Sequence, residues 1–167
     1  MFRKLDDFYA AFENQREATR KIFSALSDEN LGQCVVEGHR SLAGIAWHIV
    51  ATYPEMMGRT GLSIQSMSYE SMPPASAAEI LAGYEGVTQE LLDGVKAAWT
   101  DESLEQVDDM YGEKWPRGTT LAVLIHHEIH HRAQMTVLLR QAGAKVPGVF
   151  GPSQEEWEAY GMQAPPY

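Results

Sequence analysis

Four stretches of this chain carry apolar residues at spacings of three and four, and this spacing restricts the possible folds more than any other feature. The first stretch shows it in Leu5, Phe8 and Phe12, and again in Thr19, Ile22 and Phe23. Such spacing places apolar side chains along one face of an α-helix. We predict four helices, over residues 3–26, 41–57, 76–98 and 119–142. Because no period-two strand pattern and no internal repeat accompanies them, the sequence predicts an all-α four-helix bundle.

Several residues mark where these helices begin and end. Ser41 is a good N-cap for the second helix, and Ser76 with Glu79 forms a capping box for the third. Gly143 ends the fourth helix. The third helix is the least regular, because it contains three glycines that each cost about 1 kcal/mol relative to alanine. These are Gly83, Gly86 and Gly94.

Long connections separate the helices. Residues 58–75 and 100–118 contain glycine, proline and acidic residues, and we predict irregular structure for both. The proline-containing tail, residues 146–167, is predicted to pack over the bundle with a short helix near residues 154–160. A length of 167 residues with 44% apolar content predicts one domain, residues 1–167.

Charge and cysteine content exclude several classes of protein. The chain has 13 basic and 23 acidic residues, a net charge of −10, and no basic cluster. A nucleic-acid partner is therefore not expected. Its one cysteine, Cys34, excludes an intramolecular disulfide and a multi-cysteine zinc site. No long apolar run and no apolar signal core are present, so we expect no membrane association and a soluble, cytoplasmic protein.

The fourth helix concentrates the histidines. Four of the six lie between positions 126 and 131. His127 and His131 are four residues apart, so they stack on one helix face at the centre of the apolar stripe. His48 faces the bundle interior from the second helix by the same projection. His126 and His130 lie nearer the margin of the stripe, where they are candidates for outer-shell or interface positions.

Three imidazoles and an open position for water are the ligand set of a catalytic zinc-type site. We therefore predict one divalent metal ion on His48, His127 and His131. Imidazole suits zinc, nickel and iron alike, so the sequence leaves the metal open. The alternative is three hydrogen-bonded core histidines without a metal. A di-iron site is disfavoured, since paired Glu-x-x-His motifs are absent from the facing helices.

Glu128 follows the first histidine of the pair, as the general base does in the HExxH metalloprotease motif. It is a candidate general base, an acceptor that orients an imidazole, or an ion-pair partner of Arg132. Four aromatic residues are candidates either for the lining of a substrate pocket or for ordinary packing: Tyr53, Tyr69, Trp115 and Trp157.

Two motifs resemble the DinB/YfiT-like family of metal-dependent four-helix bundles. They are Ser41-Leu42-Ala43-Gly44-Ile45-Ala46-Trp47-His48 and His127-Glu128-Ile129-His130-His131-Arg132-Ala133-Gln134. The ending of the fourth helix, residues 138–143, is similar as well, and the likeness spans about residues 5–145. The family usually has glycine where this chain has Ala133.

The resemblance implies an up, up, down, down bundle with a divalent metal on His48, His127 and His131, and frequent homodimers. Some members are transferases or isomerases that use a low-molecular-weight thiol, and others look like hydrolases. Two functional classes follow. The first is an enzyme that acts on a small-molecule substrate by metal activation of a thiol or of water. The second is a non-enzymatic stress-response protein whose metal is structural.

Overall fold

The computed structural model of the protein describes residues 1–166, and four α-helices dominate it. They are α1 (Leu5–Phe23), α2 (Leu42–Gly58), α3 (Ala77–Ala98) and α4 (Arg117–Gln141). Each falls on a predicted helix, with ends that differ by at most three residues. The predicted all-α four-helix bundle is confirmed.

Both predicted N-cap serines act as caps, but of the capping box predicted for α3 only the Ser76 half forms. The Ser41 hydroxyl accepts a hydrogen bond from the Gly44 N–H (3.2 Å), and the Ser76 hydroxyl accepts one from the Glu79 N–H (3.4 Å). These bonds satisfy N–H groups that have no partner inside the helix. The motif that opens α2 therefore sets the first turn of the helix that carries His48.

One end of the bundle brings three helix termini together. The Phe2 N–H, just before α1, donates to the carbonyl of Gly118 in the first turn of α4 (3.1 Å). Arg117, the first residue of α4, donates to the carbonyl of Thr60, just after α2 (2.9 Å). The beginnings of α1 and α4 and the end of α2 therefore share this end of the bundle.

A contact at the opposite end of the bundle shows in which direction α3 runs. The carboxylate of Asp28, five residues after α1, accepts a hydrogen bond from the N–H of Ala77, the first residue of α3 (2.8 Å). Helices α1 and α4 thus run one way and α2 and α3 the other. The order is up, down, down, up, which corrects the up, up, down, down order implied by the resemblance. Helix α4 packs against both α1 and α2, and α3 packs against the same two helices.

Because α2 and α3 are parallel, the connection between them returns along the bundle. Packing of α2 and of this connection against α3 explains two of its glycines. The Trp47 indole N–H donates to the Ser71 carbonyl (2.9 Å). A Cβ at Gly83 would lie 2.9 Å from the Trp47 ring, and a Cβ at Gly94 would lie 2.9 Å from the Leu62 side chain. Both distances are shorter than a normal carbon contact, so a side chain at either position would displace Trp47 or Leu62.

The connection before α4 contains a β-hairpin that the sequence analysis missed. Strand β1 (Val107–Met110) pairs antiparallel with β2 (Glu113–Pro116). The turn residues Tyr111 and Gly112 both have positive φ (57° and 87°), as the favoured two-residue hairpin turns require. Four residues per strand are too few to show a period-two pattern. The Arg117–Asp108 ion pair (2.9 Å) holds the hairpin against the start of α4.

The tail follows the prediction in part. Val146 is buried in the hydrophobic core, and a 3-10 helix, Trp157–Tyr160, lies where a short helix was predicted. Tyr167, the end of the predicted tail, lies outside the described residues. Among residues 1–166, no helix combines the length and the apolar character that a bilayer crossing requires.

Candidate metal centre

The antiparallel packing of α2 on α4 brings the three predicted histidines together. The Nε2 atoms of His48 and His127 are 3.1 Å apart. One ring nitrogen from each of His48, His127 and His131 lies within 4.8 Å of the other two. His48 of α2 therefore lies beside His127 and His131 of α4, so the three predicted histidines form one cluster.

This arrangement fits a single ion. Two imidazole nitrogens that bind one tetrahedral zinc at about 2.0–2.1 Å lie about 3.3 Å from each other. The His48–His127 separation of 3.1 Å is close to that value. All three donors are imidazole nitrogens, and such a set suits zinc, nickel, iron and copper rather than magnesium or calcium.

The surroundings keep these imidazoles neutral. Burial, followed by the nearby positive charge of Arg40, lowers the pKa of His48 to about 4. Burial and the neighbouring His131 lower the pKa of His127 to about 4, and burial also lowers the pKa of His131. Neutral imidazole is the form that coordinates a metal, so at neutral pH no proton has to leave before an ion binds.

Gln134 orients the third histidine. The Nδ1–H of His131 donates to Gln134 Oε1 (2.8 Å), which leaves Nε2 free to coordinate. The amide of Gln134 also donates to His130 Nε2 (3.2 Å). His130 therefore lies outside the cluster of three histidines and contacts it through Gln134, in one of the positions expected for it. His126 is exposed to solvent, on the outside of α4.

Glu128 lies in the centre of the bundle rather than in the metal centre. Its side chain is 1% exposed. Its carboxylate accepts hydrogen bonds from the hydroxyls of Thr19 (2.6 Å), Tyr84 (2.9 Å) and Tyr53. These three donors come from α1, α3 and α2, so one carboxylate on α4 ties all four helices together. We call Glu128, Thr19, Tyr53 and Tyr84 the carboxylate hub.

Arg132 completes the hub from the next turn of α4. Its guanidinium donates to Thr19 Oγ1 (3.0 Å), which in turn donates to Glu128. Thr19 therefore bridges the two charges. The hydrogen bonds of the Glu128 carboxylate go to Thr19, Tyr53 and Tyr84 and not to His48, His127 or His131, so the candidate base or imidazole-orienting acceptor lies away from the histidines in this structure. Consecutive residues of an α-helix point about 100° apart, so Glu128 does not share the face of α4 that carries His127.

Two clefts flank the histidines. The Arg40 groove, of about 650 Å³, reaches His131. Its lining consists of Val35, Val36, His39, Arg40, Ile45, His131, Gln134, Val137 and Leu138. The Tyr111 cleft, of about 320 Å³, reaches His48. Its lining consists of His48, Ala51, Thr52, Glu55, Tyr69 and Tyr111. The histidine cluster therefore borders two clefts, one at His131 and one at His48.

The Tyr111 cleft contains functional candidates that the sequence analysis missed. The Tyr111 hydroxyl donates to Glu55, and Arg59 donates to the same carboxylate (2.9 Å). Burial, followed by the hydrogen bond to Glu55, raises the pKa of Tyr111 to about 12. Glu55 follows His48 by seven residues, two helical turns, and that spacing is the signal that could have found it. No local signal places Tyr111 there, because the hairpin brings it.

Of the four aromatic candidates for a pocket lining, one lines a cleft and three do not. Tyr69 lines the Tyr111 cleft, which is one of the two alternatives left open for it. Tyr53 is buried in the carboxylate hub, which makes it a packing residue. Trp115 lies on the hairpin beside the Tyr111 ring (6.3 Å between ring centroids), and Trp157 lies on the 3-10 helix of the tail. Neither tryptophan lines either cleft.

Comparisons with known proteins agree with this architecture. A DinB-like protein from Bacillus cereus ATCC 10987 superimposes with a TM-score of 0.86 at 37% identity, over 90% of this chain and 100% of that one. A DinB-like protein from Bacillus subtilis, YjoA, superimposes with a TM-score of 0.68 at 17% identity, over 86% of this chain and 96% of that one. The second likeness shows the shared fold alone.

Sequence comparison gives the same result. The chain is 39% identical to the uncharacterized protein YrdA of Bacillus subtilis (strain 168) over 165 residues, which is 99% of each chain. The model of the DinB family matches residues 1–165. On this evidence, the chain belongs to the DinB family.

Proposed function

We propose that this protein binds one divalent metal ion on His48, His127 and His131 and uses it to transfer a low-molecular-weight thiol to a small-molecule substrate. The observation that carries the proposal is the meeting of three neutral imidazoles from two helices at a point bordered by two clefts. Three protein ligands leave a coordination position for a reacting molecule, as in catalytic zinc sites.

The rest of the bundle supports a catalytic role over a structural one. The four helices are joined by a continuous hydrophobic core and by the carboxylate hub. Glu128 and Tyr84 are almost completely buried, whereas each of the three histidines is partly exposed. A metal that was needed to hold the helices together would be expected in the core, with its coordination positions filled by the protein.

A divalent ion in such a site lowers the pKa of a bound thiol or water and so supplies a nucleophile at neutral pH. Gln134 holds His131 in the tautomer that presents Nε2. Among residues 1–166, Glu55 is the only carboxylate in the lining of the two clefts. With Tyr111 bound to it, Glu55 is our candidate for holding a proton or a polar group of the substrate beside His48.

The first test is the metal content of untagged protein, measured by elemental analysis. We expect about one divalent ion per chain, lost in His48→Ala and in His131→Ala while circular dichroism stays helical. His126→Ala is the matched control, because it removes an exposed histidine from the same helix. Protein that takes up no metal after reconstitution, or variants that keep it, would exclude the proposed site.

The second test separates the chemical classes. Metal-loaded protein is mixed with an aryl chloride electrophile and with bacillithiol, mycothiol or glutathione, and loss of free thiol is followed. Metal-dependent turnover supports the transferase, and no turnover with any thiol refutes it. Metal-dependent hydrolysis without thiol would favour a hydrolase, which the same site also allows. A sharp fall in melting temperature on metal removal, without any turnover, would favour a structural metal.

The resemblance also leads us to propose a homodimer. Size-exclusion chromatography with light scattering gives the mass in solution, and a monomeric mass at micromolar concentration would contradict it.

A further inference from the structure

The Arg40 groove contains a cation without a protein partner. Six of the eight arginines hydrogen-bond to other side chains or form ion pairs, mostly with carboxylates. Within residues 1–166, Arg3 and Arg40 alone form no such bond. Arg3 lies at the beginning of α1, at the opposite end of the bundle from Arg40, which directly precedes α2. In a chain of net charge −10, an unpaired arginine in a groove is a local site of attraction for an anion.

The rest of the groove is apolar and open. Val35, Val36 and Val137 are 68%, 56% and 53% exposed, although aliphatic side chains of this kind are usually buried. They share the groove with Arg40. Apolar walls with one charged group are typical of small-molecule sites, where the walls supply affinity and the charge sets the orientation. A volume of about 650 Å³ lies within the range of such sites.

The groove opens onto the candidate metal centre. His131 and its partner Gln134 form part of its lining. Arg40, Val137 and His131 line the same groove, and His131 is within reach of the other two histidines of the cluster. A molecule held between Arg40 and Val137 would therefore have one part beside His131.

We propose that the Arg40 groove binds the organic substrate of the metal centre, and that this substrate is a small amphipathic anion. Its carboxylate or phosphate pairs with the Arg40 guanidinium, and its apolar body lies on Val35, Val36 and Val137. Arginine suits both anions, because its planar fork donates two parallel hydrogen bonds to either. The identification of the molecule as a substrate rests on the proposed function; the binding itself does not.

The test uses three probes that share one apolar body: hexanoate, hexyl phosphate and the neutral hexanamide. Binding to the full chain is followed by NMR of the valine and leucine methyl groups, in chelator-treated and in metal-loaded protein. We expect hexanoate to shift the methyl signals of Val35, Val36 and Val137 with a Kd on the order of millimolar. A preference of about tenfold over hexanamide should be lost in Arg40→Gln, and Arg40→Lys should keep part of it. The ratio of hexanoate to hexyl phosphate affinity decides which anion is preferred.

Arg3→Gln is the matched control, since it removes the other unpaired arginine, and it should leave the preference unchanged. Equal binding of hexanoate and hexanamide, or no shift with any probe up to about 50 mM, would overturn the proposal. So would hexanoate binding that needs the metal and survives Arg40→Gln, because the anion would then be on the metal. If the chain takes up no metal and yet shows Arg40-dependent binding, the proposed function fails while the anion site stands.

Discussion

Replacing Glu128 by glutamine distinguishes a carboxylate that holds the bundle from one that acts in catalysis. The substitution keeps the size of the side chain and removes its charge. Three hydroxyls donate to this carboxylate, and glutamine offers one oxygen and an amide donor in its place. At least one hydroxyl must then turn or lose its partner. Arg132, which is 2% exposed, loses the one carboxylate that is buried within residues 1–166.

The expected loss of stability follows from these contacts. Removing one partner of a directly paired buried charge costs about 3–5 kcal/mol, and here the two charges are bridged by Thr19 instead of paired directly. Arg132 keeps its hydrogen bonds to the Gln15 carbonyl, the Gln15 side chain and Thr19 Oγ1, so we expect the lower end, about 3 kcal/mol. For a chain of this length, that corresponds to a fall of about 6–12 °C in melting temperature. Tyr84→Phe, which removes one hydroxyl donor to a charged acceptor, should cost about 1.5–3 kcal/mol.

Thermal and urea unfolding of the two variants and of the double variant measure these values, and a coupling energy above about 0.5 kcal/mol between the two positions is expected. Glu158→Gln, an exposed glutamate, is the control and should stay within about 0.5 kcal/mol of the parent protein. Metal content of Glu128→Gln should be unchanged. A variant as stable as the parent protein that has lost its metal or its activity would refute the hub interpretation and return Glu128 to the metal centre.

Three further predictions concern the metal centre and α3. Gln134→Ala should weaken metal affinity about 10–100-fold, measured by chelator competition, because His131 loses the acceptor that fixes its tautomer; unchanged affinity would contradict this. Metal-free protein should lose stability as pH falls from 6.5 towards about 4, because the unfolded chain protonates His48 and His127 in that window and the folded chain does not; melting curves of His48→Gln should show a smaller pH dependence. Gly83→Ala should destabilise α3 by about 1–3 kcal/mol through its clash with the indole of α2. Gly86→Ala, where the nearest atom is 3.5 Å away, should stabilise it by up to about 1 kcal/mol, and equal unfolding midpoints for the two would contradict the packing argument.

The sequence by itself determined the helices and the identity of the clustered histidines. Helical periodicity depends on local spacing alone, so Leu5, Phe8 and Phe12 predict their helix face without knowledge of its neighbour. Caps are local for the same reason, and Ser41 and Ser76 perform the predicted role. The projection that placed His48, His127 and His131 inward also depends only on the rotation per residue along each helix.

The tertiary structure alone decided how the helices are arranged and what lies between them. Helix direction depends on how far each connection travels, and the return of the α2–α3 connection along the bundle leaves no local pattern in the sequence. Glu128 shows the same limit: its position next to His127 indicated a catalytic role, but the hydroxyls that bind it come from three other helices. Arg40 and Tyr111 reach the clefts through packing between segments distant in sequence. Such contacts join segments that are far apart in the sequence. A spacing of three or four residues describes only one helix and carries no information about them.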